Sequence, residues 1–247
     1  MQEICSCKKK PYPDPRDYQF SDLMKKATAM PQPFAVAPKI SLRSKFPPVY
    51  DQGQHGTCTS CAALACDDYY YHREGKRRPS ILFTYYNQKA PDDLVDDNGD
   101  NVENALKKIR KFGSCKEKIW PYTEPWNKKP SKEAYADGLK GHEITTFHAI
   151  KNITQLKSAL SQGYPCPGAL DWAFTDMDEN YILNTPKKRS KKWNGHAIVF
   201  IGYDQEKRLI EIRNSWSDKW GDNGYAWITY EAMNLLQDWD DTYAIVR

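Results

Sequence analysis

Small and apolar residues recur at helical spacing over 58–73 (Cys58, Cys61, Ala62, Leu64, Ala65 and Tyr69), which predicts a helix stopped by Gly75. Small residues crowd every face of this segment, so it is expected to be a buried central helix. A second helix is predicted over 80–89 with Ser80 as its cap. A third is predicted over 102–112, where Val102, Ala105, Leu106 and Ile109 form one stripe and Gly113 ends it. Residues 1 to about 40 carry prolines at 11, 13, 15, 31, 33 and 38, and only 18–30 could hold a few turns of helix. The proline- and lysine-rich stretch 120–130 reads as an irregular linker. Beyond about 141 the pattern changes to strands at 143–149, 166–172, 196–203, 208–214 and 225–229. One helix at 153–161 interrupts them, with Asn152 or Thr154 as its start.

Helices followed by strands argue for an α+β fold with two lobes and a cleft between them. The expected domains are an extension over 1–40 and a domain over 41–247, with a helical lobe at about 55–130 and a β lobe at about 140–247. A chain of 247 residues is long enough to bury such a core. A net charge of +4, widely spread, points to no nucleic-acid partner, and no stretch is long enough to span a membrane. The seven cysteines are odd in number and the first residues lack the apolar run of a signal peptide. An intracellular or otherwise reducing compartment is therefore expected.

The chemistry concentrates where a glycine-punctuated loop, Gln52-Gly53-Gln54-His55-Gly56-Thr57, runs into the first helix at Cys58. With Thr57 as N-cap, Cys58 occupies the first turn, where unpaired N–H groups and the helix dipole favour a thiolate. The Gln52 amide, six residues upstream, is a second donor for the same spot. The segment resembles the Gln-Gly-x-Cys-Gly-Ser-Cys-Trp active-site segment of papain-like cysteine peptidases. Gln52, Gly53, Gly56 and Cys58 match it, Thr57 stands for Ser, Thr59 for Trp and His55 for a Cys. His55 is thus where secreted members place a disulfide cysteine. His196 opens an apolar run 138 residues after Cys58, inside the roughly 130–150 residues expected of such a base. Asn214-Ser215-Trp216, Trp220-Gly221 and Gly224-Tyr225 follow the family's Asn-Ser-Trp-Gly-x-x-Trp-Gly-x-x-Gly-Tyr, with Ser217 for the first Gly. The three segments cover about 41–230, and the last residues match only loosely. Pro13 to Tyr18 resembles a leader of microbial members that lack a long propeptide.

The resemblance implies a papain-like two-lobed fold, with a helical lobe followed by an antiparallel, β-barrel-like lobe. It also implies a peptidase that needs no metal and no cofactor. Cys58 would be the nucleophile, His196 the proton carrier, and Asn214 the group that orients His196. Trp216 would shield their bond, and Gln52 with the Cys58 N–H would hold the oxyanion. Gly99 and Asp100 would lie along the cleft wall, with a carboxylate at 100 disfavouring acidic peptides. Asn101, Val102, Ala169 and Ala197 would line a pocket for a bulky hydrophobic residue two before the cut.

Polypeptides are the expected partners of a monomer, with the chain's own residues 1 to about 35 as a cleft ligand or, instead, a strap on one lobe. A catalytically silent binding protein is the alternative, opposed by the presence of Gln52, Cys58, His196 and Asn214 together. Cys58-Thr59-Ser60-Cys61 also fits a thioredoxin-like redox pair, but the chain opens on an irregular leader rather than a βαβ unit. Cys61 reads as a small core residue or as the partner of Cys58 in a reversible disulfide. Cys5 and Cys7 lack a second pair at metal spacing. The basic run 187–192 reads as a solvated loop in preference to a polyanion site.

Overall fold

The computed structural model describes residues 18–28, 37–71, 78–90, 96–141, 144, 146–188 and 194–246. The expected cleft ligand (apart from 18–28), the Gly75 stop, Cys5, Cys7 and most of the basic run fall outside them.

Helix α1 (Phe20–Thr28) leads, then β1 (Lys39–Ser41), and the central helix α2 runs Cys58–Tyr71. Its small side chains let neighbours approach from both sides: Cys58, Ala63, Leu64 and Cys66 are fully buried. Helices α3 (Ile81–Lys89) and α4 (Val102–Phe112) pack on one flank. Ser80 Oγ accepts the Phe83 N–H, so α3 starts at its expected cap, and Asn101 Oδ1 accepts the Asn104 N–H at the expected start of α4. Gly113 ends α4 at φ 71°, the left-handed region that glycine enters without strain. Helix α5 (Lys132–Gly138) completes this half, with Leu82, Phe83, Cys115, Trp120 and Ala134 as its own small core.

The other flank of α2 packs against a sheet. Strands β2 (Thr146–Ala149), β3 (Cys166–Asp171), β4 (Ile182–Leu183), β5 (Gly195–Asp204), β6 (Leu209–Arg213), β7 (Tyr225–Thr229) and β8 (Gln237–Val246) are joined through α6 (Ile153–Ser161) and α7 (Tyr230–Leu236). The order is β2-β8-β3-β5-β6-β7-β4, with β1 also paired to β5. This corrects the expected barrel. The described path is open, its ends β2 and β4 do not pair, and β4 runs parallel to β7 while the other neighbours are antiparallel. Strands β3, β5 and β6 are buried along their full length, and α2 covers one face of β3 and β5. Residues 18–28 lie against this half: Phe20 is fully buried, the Tyr18 carbonyl accepts the Ala149 N–H at 2.8 Å, and Met24 meets Ser158 of α6 and Gln162 at its end.

One buried charge in α2 gives the fold a pH dependence. Burial pushes the Asp68 carboxyl up to about 7, although the Tyr50 hydroxyl donates to it at 3.2 Å and Arg213 and Arg78 favour its ionised form. The unfolded carboxyl titrates near about 3.9. Between those values the folded chain holds a proton the unfolded chain has released, so stability falls as pH rises through that window, by up to about 4 kcal/mol. Asp68→Asn is expected to raise the unfolding free energy at pH 8 and leave it nearly unchanged at pH 4, as read by denaturant titration at both. An equal effect at both pH values contradicts the assignment.

Candidate active site

The loop before α2 is tied to the chain that follows β6. The Gln52 N–H donates to the Ser215 carbonyl at 2.9 Å, and Asp51 forms a β-bridge with Trp216. The Gln52 side chain is then held at both ends: the Ser215 hydroxyl donates to Oε1 at 2.5 Å, and Nε2 donates to the His55 carbonyl at 3.1 Å. From outside the loop, the Tyr122 hydroxyl donates to the Gln52 carbonyl at 2.8 Å and accepts from the Thr57 hydroxyl at 2.9 Å. Gln52 is left 3 % exposed with its amide fixed in direction.

Cys58 is the first residue of α2. One turn on, Cys61 and Ala62 share its face of the helix. They line a small cavity together with Ala197, Ile198, Asn214 and Ser215. The head of α2 therefore lies at the end of β5 where His196 stands. Imidazole Nε2 donates to Asn214 Oδ1 at 2.8 Å; that oxygen also accepts the Ser215 N–H at 2.8 Å, which fixes it as an acceptor. With Nε2 so engaged, Nδ1 is the other ring nitrogen. Trp216 stacks on the imidazole at 4.7 Å and 27°, and Trp172 meets it edge-on at 5.0 Å. His196 is 1 % and Asn214 3 % exposed, so their bond is shielded from water.

The neighbouring thiols are suppressed. Burial pushes Cys61 up to about 12, against the Thr57 hydroxyl that favours its thiolate, and burial also pushes Cys66 and Cys166 well up. Cys61 is packed as a core side chain, and its retained proton opposes thiolate attack from that position.

The segment expected along the cleft is held by α3. Lys89 Nζ donates to Asn98 Oδ1 at 2.6 Å, Gln88 Nε2 to the Asn101 carbonyl at 3.4 Å, and the Gly99 N–H to Tyr85 Oη at 3.2 Å. Asp100 is only 7 % exposed, and its carboxylate accepts from the Asn101 N–H and Asn104 Nδ2. Its charge is thus turned toward the head of α4, and the expected repulsion of acidic peptides has little exposed carboxylate to act through. Ala169 and Ala197 face each other in register across β3 and β5; Val102, at the head of α4, is buried, and Asn101 caps that helix. Thr59, where the motif has Trp, is buried and accepts from Gln88 Nε2 at 3.1 Å. Sequence reasoning missed Ser215, Tyr122 and Trp172 as parts of the site. Only Ser215 sits inside a motif that could have shown it. Among the described residues no group of three or more His, Cys, Asp or Glu side chains is placed to hold a metal ion.

A cysteine at the head of a buried helix and, on the sheet that this helix packs against, an imidazole bonded to an asparagine under a stacked tryptophan are the parts of a papain-like cysteine peptidase site. The comparisons agree. The family model described as papain family cysteine protease matches residues 36–238, and the chain belongs to that family. It is 30% identical over 208 residues to an uncharacterised peptidase C1-like protein of Acanthamoeba polyphaga mimivirus, covering 76% of this chain and 67% of that protein. It is 26% identical to cysteine proteinase 3 of Entamoeba histolytica, over 81% of this chain and 65% of that one. The crystal structure of xylellain, a cysteine protease from Xylella fastidiosa, superposes with a TM-score of 0.81 at 30% identity, covering 99% of this chain and 97% of the other.

Proposed function

We propose that the chain is an endopeptidase working by acyl transfer to Cys58. The thiol passes its proton to His196 Nδ1 and attacks the peptide carbonyl carbon. The carbonyl oxygen takes up the electron pair and is met by the Cys58 N–H and the second Nε2 hydrogen of Gln52. As the tetrahedral centre collapses, the C–N bond breaks and the amine leaves with the His196 proton. Water then attacks the thioester while His196 takes its proton, and as the C–S bond breaks the carboxylic product leaves and the Cys58 thiolate recovers that proton. Asn214 keeps Nε2 engaged so that Nδ1 faces the sulfur throughout, and Trp216 and Trp172 exclude water from that bond.

The observation that carries this reading is the His196–Asn214 bond of 2.8 Å beneath a stacked tryptophan. No packing role requires a buried imidazole to be held in one orientation by an asparagine and two tryptophans. The substrate backbone pairs along Gly99 as an added strand. By the family resemblance, the residue two before the cut is received beside Asn101, Val102, Ala169 and Ala197.

Peptides blocked at both ends and varied at that position are expected to be cut internally. Leu or Phe there is expected to exceed Glu by about 10- to 100-fold in kcat/KM. Release confined to terminal residues would remove the endopeptidase reading, and indifference to the second residue would remove the pocket.

A further inference from the structure

We infer that Asp97 is a positioning residue for acyl transfer, a carboxylate clasp that sets both the oxyanion loop and the cleft wall. The inference rests on the peptidase reading above. Asp97 lies on the far side of α3 from the nucleophile in sequence, in the turn before Gly99, yet its carboxylate reaches back to the Gln52–Cys58 loop. Oδ2 accepts from His55 Nδ1 at 2.7 Å, and Oδ1 accepts from the Gly56 N–H at 2.9 Å and from the Tyr85 hydroxyl at 2.7 Å. The same Tyr85 oxygen accepts the Gly99 N–H. The two segments approach so closely that a Cβ on Gly56 would lie 2.8 Å from the Gly99 nitrogen and 3.0 Å from the Asp97 carbonyl.

The consequence for chemistry runs through one peptide unit. The carbonyl of His55 is what Gln52 Nε2 donates to, and the next N–H, that of Gly56, is what Asp97 accepts. Asp97 thus grips the peptide that joins these residues, and with it the direction of the Gln52 amide. The His55 ring adds a second hold on the same peptide and is braced edge-on by Tyr122 at 5.8 Å. Nδ1 carries the hydrogen of this bond, because a carboxylate oxygen only accepts. Through Tyr85 the clasp also fixes Gly99, so substrate backbone and oxyanion donors are referenced to one carboxylate. At His55, where secreted family members carry a disulfide cysteine, this chain uses a hydrogen-bonded, non-covalent tie.

Misplacing an oxyanion donor slows attack on a carbonyl but not displacement at an alkyl carbon, which forms no oxyanion. Asp97→Ala is therefore expected to lower kcat on a blocked fluorogenic peptide amide by about 10- to 100-fold, with KM within about 3-fold. Alkylation of Cys58 by iodoacetamide, followed by mass spectrometry, is expected to stay within about 2-fold of wild type. Asp97→Asn keeps an acceptor for the Gly56 N–H and is expected to fall between the two, which covers the case in which the alanine variant does not fold. An unchanged kcat in either folded variant, or alkylation falling in step with kcat, overturns the inference. A wild-type chain that neither hydrolyses the amide nor is alkylated at Cys58 refutes the peptidase reading itself and is distinct from both results.

Discussion

Cys58→Ala is expected to hydrolyse peptides about 10⁶-fold more slowly than the wild-type chain, because the loss of a covalent nucleophile from a coupled set removes nearly all that the set supplies. No neighbour can substitute. Cys61 and Cys66 lie on the same helix, but burial keeps their thiols protonated at any working pH. Folding is expected to survive, since the change removes one sulfur from a site already lined by small residues. Initial rates on a blocked peptide amide, with the denaturation midpoint as a control for folding, check this. Residual turnover within about 100-fold of wild type would mean that another group carries the reaction.

The second large effect is expected at Gln52. Gln52→Ala removes one of two oxyanion donors and is expected to lower kcat by about 10²–10³ with KM little changed, because the donor is needed by the transition state more than by the bound peptide. The Ser215 hydroxyl and the His55 carbonyl, which now hold the Gln52 side chain, would be left to solvent or to each other. Gln52→Glu presents a carboxylate to a developing anion and is expected to be at least as damaging. Rates with saturating peptide amide separate kcat from KM. A Gln52→Ala variant with unchanged kcat would move the oxyanion site elsewhere.

Much of the site was legible in sequence because its parts sit in short motifs with strict chemistry. Helix α2 begins at Cys58 as its small-residue pattern predicted, and α4 and α6 start at Asn101 and Asn152, both of which cap. His196 opens β5 and Asn214 follows the end of β6, 18 residues on, and the pairing of β5 with β6 brings their side chains together. The residues that hold the site were not legible. Asp97 acts across α3, Tyr122 sits in a stretch that read as linker, and Trp172 follows β3 with no periodic reason to face an imidazole. Helix α5 was missed although Ser131 caps it, because the lysines and prolines before it mask its short apolar stripe.

The end of the chain shows the same limit. Strand β8 (Gln237–Val246) runs between β2 and β3 although Asp238, Asp240 and Asp241 break any apolar alternation. Asp241 is fully buried because its carboxylate accepts the Val102 and Glu103 N–H groups at the head of α4. A strand that is charged for the benefit of a helix end has no signature in its own residues.

The central claim is that Cys58 is a nucleophile driven by His196, and one labelling measurement tests it most directly. The chain is treated with one equivalent of a peptidyl epoxide directed at thiol peptidases, digested and read by mass spectrometry, beside His196→Ala under the same conditions. A single adduct on Cys58, lost or slowed by orders of magnitude in His196→Ala, is the predicted result. An adduct on any other cysteine, or labelling of Cys58 that ignores the loss of the imidazole, would contradict it.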